Sequence, residues 1–190
     1  MDIDSVLRLE YLVISVAGPY AGEPEKDILP RKRREIEACG FTFWHHQSYK
    51  AKPDAVQTLG AKAKSEGEPL YFLLIESSSN RGGLDTKKSP QAKEYAESEN
   101  GHFTPIPQGI YVEIGKKPYA LKLKSLTTGI GSIDLCDYSF LDGSPLRILQ
   151  GGSTLCVKKE QPKSSCKMIS HRRGLIVYAE VPSPFSVWLR

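Results

Sequence analysis

The chain contains no long hydrophobic run. Its longest apolar stretch, Leu70 to Ile75, has the length of a strand, whereas a helix crossing a bilayer needs about 20 such residues. No membrane partner is expected. Cysteine is scarce and poorly spaced. Cys39, Cys136, Cys156 and Cys166 form no CxxC pair, and zinc ligands normally come in pairs about two to four residues apart. His45 and His46 are neighbours on an extended segment and cannot easily share one ion, while His102 and His171 stand alone. Neither a metal nor a cofactor is expected, and the cysteines read as reduced, small core or surface residues. Glycine is too thin after the first strand for a dinucleotide fingerprint. The start, Met1-Asp2-Ile3-Asp4, is acidic and lacks the basic and apolar regions of a signal peptide, so the cytoplasm is the expected location.

What is present is an ordinary globular composition, 39% hydrophobic and 25% charged over 190 residues. That length can bury a proper core without disulfide staples. Charge is distributed unevenly. Residues 1–100 carry 14 basic against 16 acidic side chains, and residues 101–190 carry 12 against 6. The second half is therefore the basic one and admits a polyanionic partner.

Along the chain, Tyr11 to Ala17 is a Val- and Ile-rich run suited to a buried strand, closed by Gly18 and Pro19. A charged helix is expected from Pro30, which fits a first helical turn, to a left-handed stop at Gly40. Phe41 to His46 reads as an aromatic strand. A second helix is expected from Asp54 to Gly67, a strand from Pro69 to Glu76, and a third helix from Pro90 to Glu99. After Gly101 the helical period disappears. Short strands are expected at 110–114, 119–126, 133–140, 146–149, 154–158, 168–171, 175–181 and 185–189, with Gly129, Gly131 and Asp142-Gly143 among the turns between them. The pattern predicts an α+β fold: a β-α-β-α-β-α half, residues 1–101, followed by a β-rich basic half, residues 102–190, as a mixed sheet or a barrel. A single domain is the alternative to two.

The exit of the first strand carries a resemblance. A strand, then Gly18-Pro19-Tyr20-x-Gly22-x-Pro24-Glu25, a helix, and Gly40 before a strand ending in His looks like the opening of nucleoside 2-deoxyribosyltransferase-like proteins. The resemblance implies that Gly18 and Tyr20 line a nucleoside pocket. Ser89, Glu94, Ala96 and Gly101 imitate a later segment of that family, which would make Glu94 the nucleophile that attacks the sugar of an N-glycosidic bond. A solvated glutamate on a helix face is the plainer reading. Trp44 and His46 share one face of the second strand and are the remaining ligand-binding candidates, with a hydrogen-bonded structural histidine as the alternative for His46.

A second resemblance begins at the same strand. Phe43-Trp44, Ser48 with a basic loop, a helix and the strand Leu70–Ile75 are similar to PUA- and EVE-like barrels, which bind RNA or modified DNA bases. In the basic half, Lys116, Lys117, Lys122, Lys124, Lys158, Lys159, Arg172 and Arg173 are candidate phosphate contacts. Lys122 and Lys124 fall on one face of a strand. Tyr111, Tyr119, Tyr138 and Trp188 could stack on bases; protection of sheet edges by lysine is the competing explanation for the charges. These residues point to a nucleic-acid or nucleotide binding module, with the glycosidic enzyme and a protein–protein adaptor as alternatives.

Overall fold

The computed structural model describes residues 1–16, 25–75, 90–146, 154–160 and 171–190. The turn that holds Gly18 and Tyr20 lies outside them, as do Ser89 and the 77–88 loop. The described helices are α1 (Ile3–Val6), α2 (Glu25–Cys39) and α3 (Pro53–Ser65). The strands are β1 (Tyr11–Val16), β2 (Thr42–His46), β3 (Tyr71–Ile75), β4 (Glu94–Ala96), β5 (Thr104–Pro105), β6 (Tyr119–Asp134), β7 (Tyr138–Ser139), β8 (Thr154–Lys159), β9 (His171–Glu180) and β10 (Ser186–Leu189). They join in one open mixed sheet in the order β5-β4-β10-β6-β9-β3-β1-β8-β7, and β2 also pairs with β6. The fold is α+β with a mixed sheet, and among the described residues the sheet does not close into a barrel. Strands from both sides of residue 101 alternate within it, since β3 and β1 lie between β9 and β8. Among the described residues no helix is long and apolar enough to cross a membrane.

The sixteen residues of β6 serve two parts of the sheet. Tyr119 to Leu123 runs between β2 and β10, and Thr127 to Asp134 runs along β9. The register shifts between Lys124 and Thr127, and Ser125 adopts a positive φ of 59°. A bulge of this kind bends a strand and re-aims the residues beyond it. Sequence patterning predicts two strands here, parted by turns at Gly129 and Gly131. The structure has one continuous strand, and the glycines have a packing reason instead. A Cβ on Gly129 would come within 2.9 Å of Ile3, and one on Gly131 within 3.0 Å of the same side chain. Glycine lets α1 lie against the strand.

Three more expectations are corrected. The third helix does not form: within 90–99 the chain makes the short strand β4, because its backbone pairs with β10 and β5. Helix α2 starts upstream of Pro30, which lies inside it. Among the cysteines, Cys39 and Cys156 are free, but Cys136 is disulfide-bonded, a state that oxidising compartments favour.

Three apolar clusters fill the layers. Val56, Leu59 and Ala63 of α3 pack with Tyr11, Val13, Phe72, Leu74 and Leu121 on one sheet face. Val6 and Leu9 pack with Leu12, Ile14, Leu73 and Ile176 on the other. Phe43, Ala120, Val187 and Leu189 meet Ala92, Ile110 and Val112 in the third. A buried polar clasp ties α2 to this last cluster. The Glu35 carboxylate, in a residue 3% exposed, accepts hydrogen bonds from Lys32 Nζ (2.9 Å), Arg31 (2.9 Å), the Tyr111 N–H (3.1 Å) and the Thr42 hydroxyl. Lys32 also donates to the Tyr111 carbonyl at 2.7 Å. Burial alone would raise the Glu35 pKa, but the Lys32 charge and these donors outweigh it and hold it below the ordinary value. Its contribution to stability is therefore complete above the normal carboxylate range and disappears as pH falls through the lowered value.

Two substitutions test this packing. Gly60→Ala in α3 adds helix propensity of about 1 kcal/mol, yet its Cβ would lie 2.5 Å from the Phe185 ring. Overpacking costs about 1–3 kcal/mol, so the melting temperature should fall; a rise would refute the contact. Lys32→Met leaves Glu35 buried without its main counter-charge and should cost about 3 kcal/mol or more in urea unfolding. The double change K32M/E35L should recover most of that loss.

Candidate functional site

Three strands set their ends side by side at one place. His46 of β2 stands opposite Tyr119 of β6, and Tyr119 stands opposite Trp188 of β10. Cross-strand partners share a face, so the three rings line up across the sheet. His46 and Tyr119 have centroids 6.0 Å apart, and Tyr119 meets Trp188 edge-on at 4.9 Å. An open cleft of about 560 Å³ lies over Tyr119 and Trp188, within the usual size range of ligand sites.

The segments that enter and leave the strands build its walls. Lys116, Lys117 and Pro118 lead into β6. Tyr49 lies in the 3₁₀ turn that follows β2, capped by Ser48. Lys52 and Asp54 come from the start of α3, Glu99 and Phe103 from the stretch after β4. Tyr49 is 67% exposed, and the Lys117 ammonium sits 3.2 Å from its ring centroid, a cation–π contact. Lys52 pairs with Asp54 at 3.4 Å. Behind Phe103 lies the Arg190 guanidinium, 4.2 Å from the ring. Burial raises the Tyr119 hydroxyl pKa, and the nearby Tyr49, Glu99 and Asp54 raise it further. The cleft thus joins flat apolar rings to three ammonium groups and two carboxylates.

Beneath it lies a buried neutral histidine. His46 is 5% exposed, and burial pushes its pKa down to about 3, with His45 adding to the effect. Its Nδ1 accepts the Ser48 N–H at 3.3 Å, which leaves the proton on Nε2. That nitrogen and Trp188 Nε1 are buried with no hydrogen-bond partner among the described residues.

The sequence-predicted positions divide. Lys116, Lys117, Tyr119 and Trp188 meet in the cleft, with His46 behind it. Trp44 is half-buried against the core, 5.5 Å from Phe72. Glu94 lies on β4, not on a helix, and its Oε2 accepts from Arg190 Nε at 2.7 Å. From Trp44 to Glu94 is three strand spacings and four residues, roughly 20 Å, so the two do not converge. The other basic residues form no single row. Lys122 lies over Phe41 at 4.7 Å, Lys158 pairs with Glu10 at 3.3 Å, and Lys159 donates to the Leu7 carbonyl at 2.7 Å. Lys124 stands opposite Glu180 and Arg173 opposite Ser132, which sets them roughly 24 Å apart along β9. Arg172, next in β9, stands opposite Ile133. Sequence reasoning missed Tyr49, Lys52, Asp54, Glu99 and Phe103. Tyr49 had a signal, an aromatic ring in an otherwise polar loop directly after a strand.

Among the described residues no three His, Cys, Asp or Glu side chains gather where they could hold a metal ion. No family model matches the chain, and no curated protein or solved structure is significantly similar to it.

The His46 environment predicts acid sensitivity. The unfolded chain binds a proton below about pH 6.5 that the folded site refuses until about pH 3. Stability should therefore fall by about 1.4 kcal/mol per pH unit across that window. Denaturant unfolding of His46→Gln at pH 7, 6, 5 and 4 should show a slope shallower by that amount; equal slopes would contradict a buried neutral imidazole.

Proposed function

We propose that the protein is a nucleic-acid or nucleotide binding module whose site is the cleft over Tyr119 and Trp188. One observation carries this reading: Tyr49, Phe103, Tyr119 and Trp188 line the same open cleft as Lys52, Lys116 and Lys117. Single-stranded nucleic acid is held by aromatic faces that stack on bases and by ammonium groups that track phosphates, and both kinds of group are present within one site. Tyr49 is the stacking platform, because its ring alone stands largely in solvent. Lys116 and Lys117 take the phosphate. The PUA- and EVE-like resemblance agrees in ligand class, although those modules are barrels and this sheet is open.

The glycosidic alternative draws no support from the geometry. The Glu94 carboxylate is engaged by Arg190 at the start of β4, and the carboxylates that line the cleft belong to Asp54 and Glu99.

Fluorescence titration with a short single-stranded oligonucleotide tests the reading. Tyr49→Ala should weaken binding about tenfold or more, since a stacked base contributes about 1–3 kcal/mol. Replacing Lys116 and Lys117 by Ala should lower the salt slope by about 0.7 for each lysine. Lys124→Ala, outside the cleft, should change affinity little. Binding that ignores salt and both sets of cleft substitutions would dismiss the proposal.

A further inference from the structure

The cleft holds one carboxylate that its own surroundings do not use. Asp54 is paired with Lys52, whereas Glu99 is exposed and makes no hydrogen bond or ion pair with any described residue. Its backbone is nevertheless held. The Gly101 N–H donates to the Ser98 carbonyl at 3.0 Å, closing a turn around it. The Gln57 amide of α3 donates to the Glu97 carbonyl at 2.7 Å and the Ser186 carbonyl at 2.9 Å, which ties the segment to α3 and β10. A carboxylate repels phosphate, so within a nucleotide site it must face the base, while the lysines of the same cleft take the phosphate.

The bases differ in what they offer a carboxylate. Guanine presents N1–H and the 2-amino group side by side, two donors for the two oxygens of one carboxylate, and such paired charge-assisted bonds are strong. Adenine and cytosine set one amino donor beside a ring nitrogen lone pair. Uracil sets one N–H between two carbonyls. In each of these a carboxylate gains one hydrogen bond and faces a repelling acceptor. We infer that the cleft selects guanine, with Glu99 reading its Watson–Crick edge while Tyr49 stacks on the ring. This rests on the nucleotide-binding reading above and specifies its ligand.

Calorimetric titration of the full chain with GMP, IMP, AMP, CMP and UMP tests it. GMP should bind about tenfold or more tighter than AMP, CMP and UMP. IMP, which keeps N1–H but lacks the 2-amino group, should fall between. Glu99→Gln should bring GMP to the level of the others, and Asp54→Asn should preserve the preference. Equal affinity for all five, or a GMP preference that survives Glu99→Gln, overturns the guanine assignment while leaving nucleotide binding intact. Binding of none of the five overturns the guanine assignment, and absence of oligonucleotide binding as well overturns both.

Discussion

The bend in β6 is the constraint on which the rest of the structure depends. A straight strand of sixteen residues would carry one set of neighbours along its whole length. The shifted register between Lys124 and Thr127, with Ser125 at positive φ, lets the first part take β2 and β10 and the second part take β9. Leu126 at the bend is buried, and its carbonyl receives the Arg33 side chain of α2 at 3.4 Å. The bulge is thus held from both sides, by burial and by a helix.

Because the first part of β6 has partners on both sides, Tyr119 stands between His46 and Trp188. This alignment makes the floor of the cleft. The walls are whatever the chain places just outside those strand ends, and these segments are short and well tied. Ser48 caps the turn that carries Tyr49, Gln57 holds the segment that carries Glu99, and Arg190 backs Phe103. Rigid elements that present polar and aromatic groups from short loops are how binding sites are ordinarily made precise. The clasp around Glu35 performs a similar service one layer away, fixing α2 to the Tyr111 segment and hence the approach of the chain to β2.

Much of the architecture was legible. The apolar runs at β1 and β3, the aromatic strand β2 and the helix α3 were each signalled by period and by flanking Gly or Pro. The failures share a cause. Pro90 to Glu99 has helical composition, yet its Tyr95 and Ala96 pair with β10, because ladder hydrogen bonds to a neighbouring strand outweigh a weak local preference. Gly129 and Gly131 read as turn residues, but the side chain of Ile3, more than a hundred residues away, is what requires them to be small. Of the site, the residues with a strand context were found. Tyr49, Glu99 and Phe103 were not, since loop residues carry no periodicity to read.

Periodicity along the chain is a local property, and it was enough to establish the α+β class, the core strands and the charge excess of the second half. The meeting of Lys116, Tyr119 and Trp188 with Tyr49 and Glu99 is not local. It joins four segments through the register of β2, β4, β6 and β10, and register depends on which strand lies beside which. Distances across the sheet follow from pairing between residues at least 65 apart in the chain, so the cleft exists only in the folded molecule. For the same reason Lys122, Lys124, Lys158, Lys159 and Arg173, which looked like one basic surface in the linear chain, are separated onto different strands and partners once the sheet assembles.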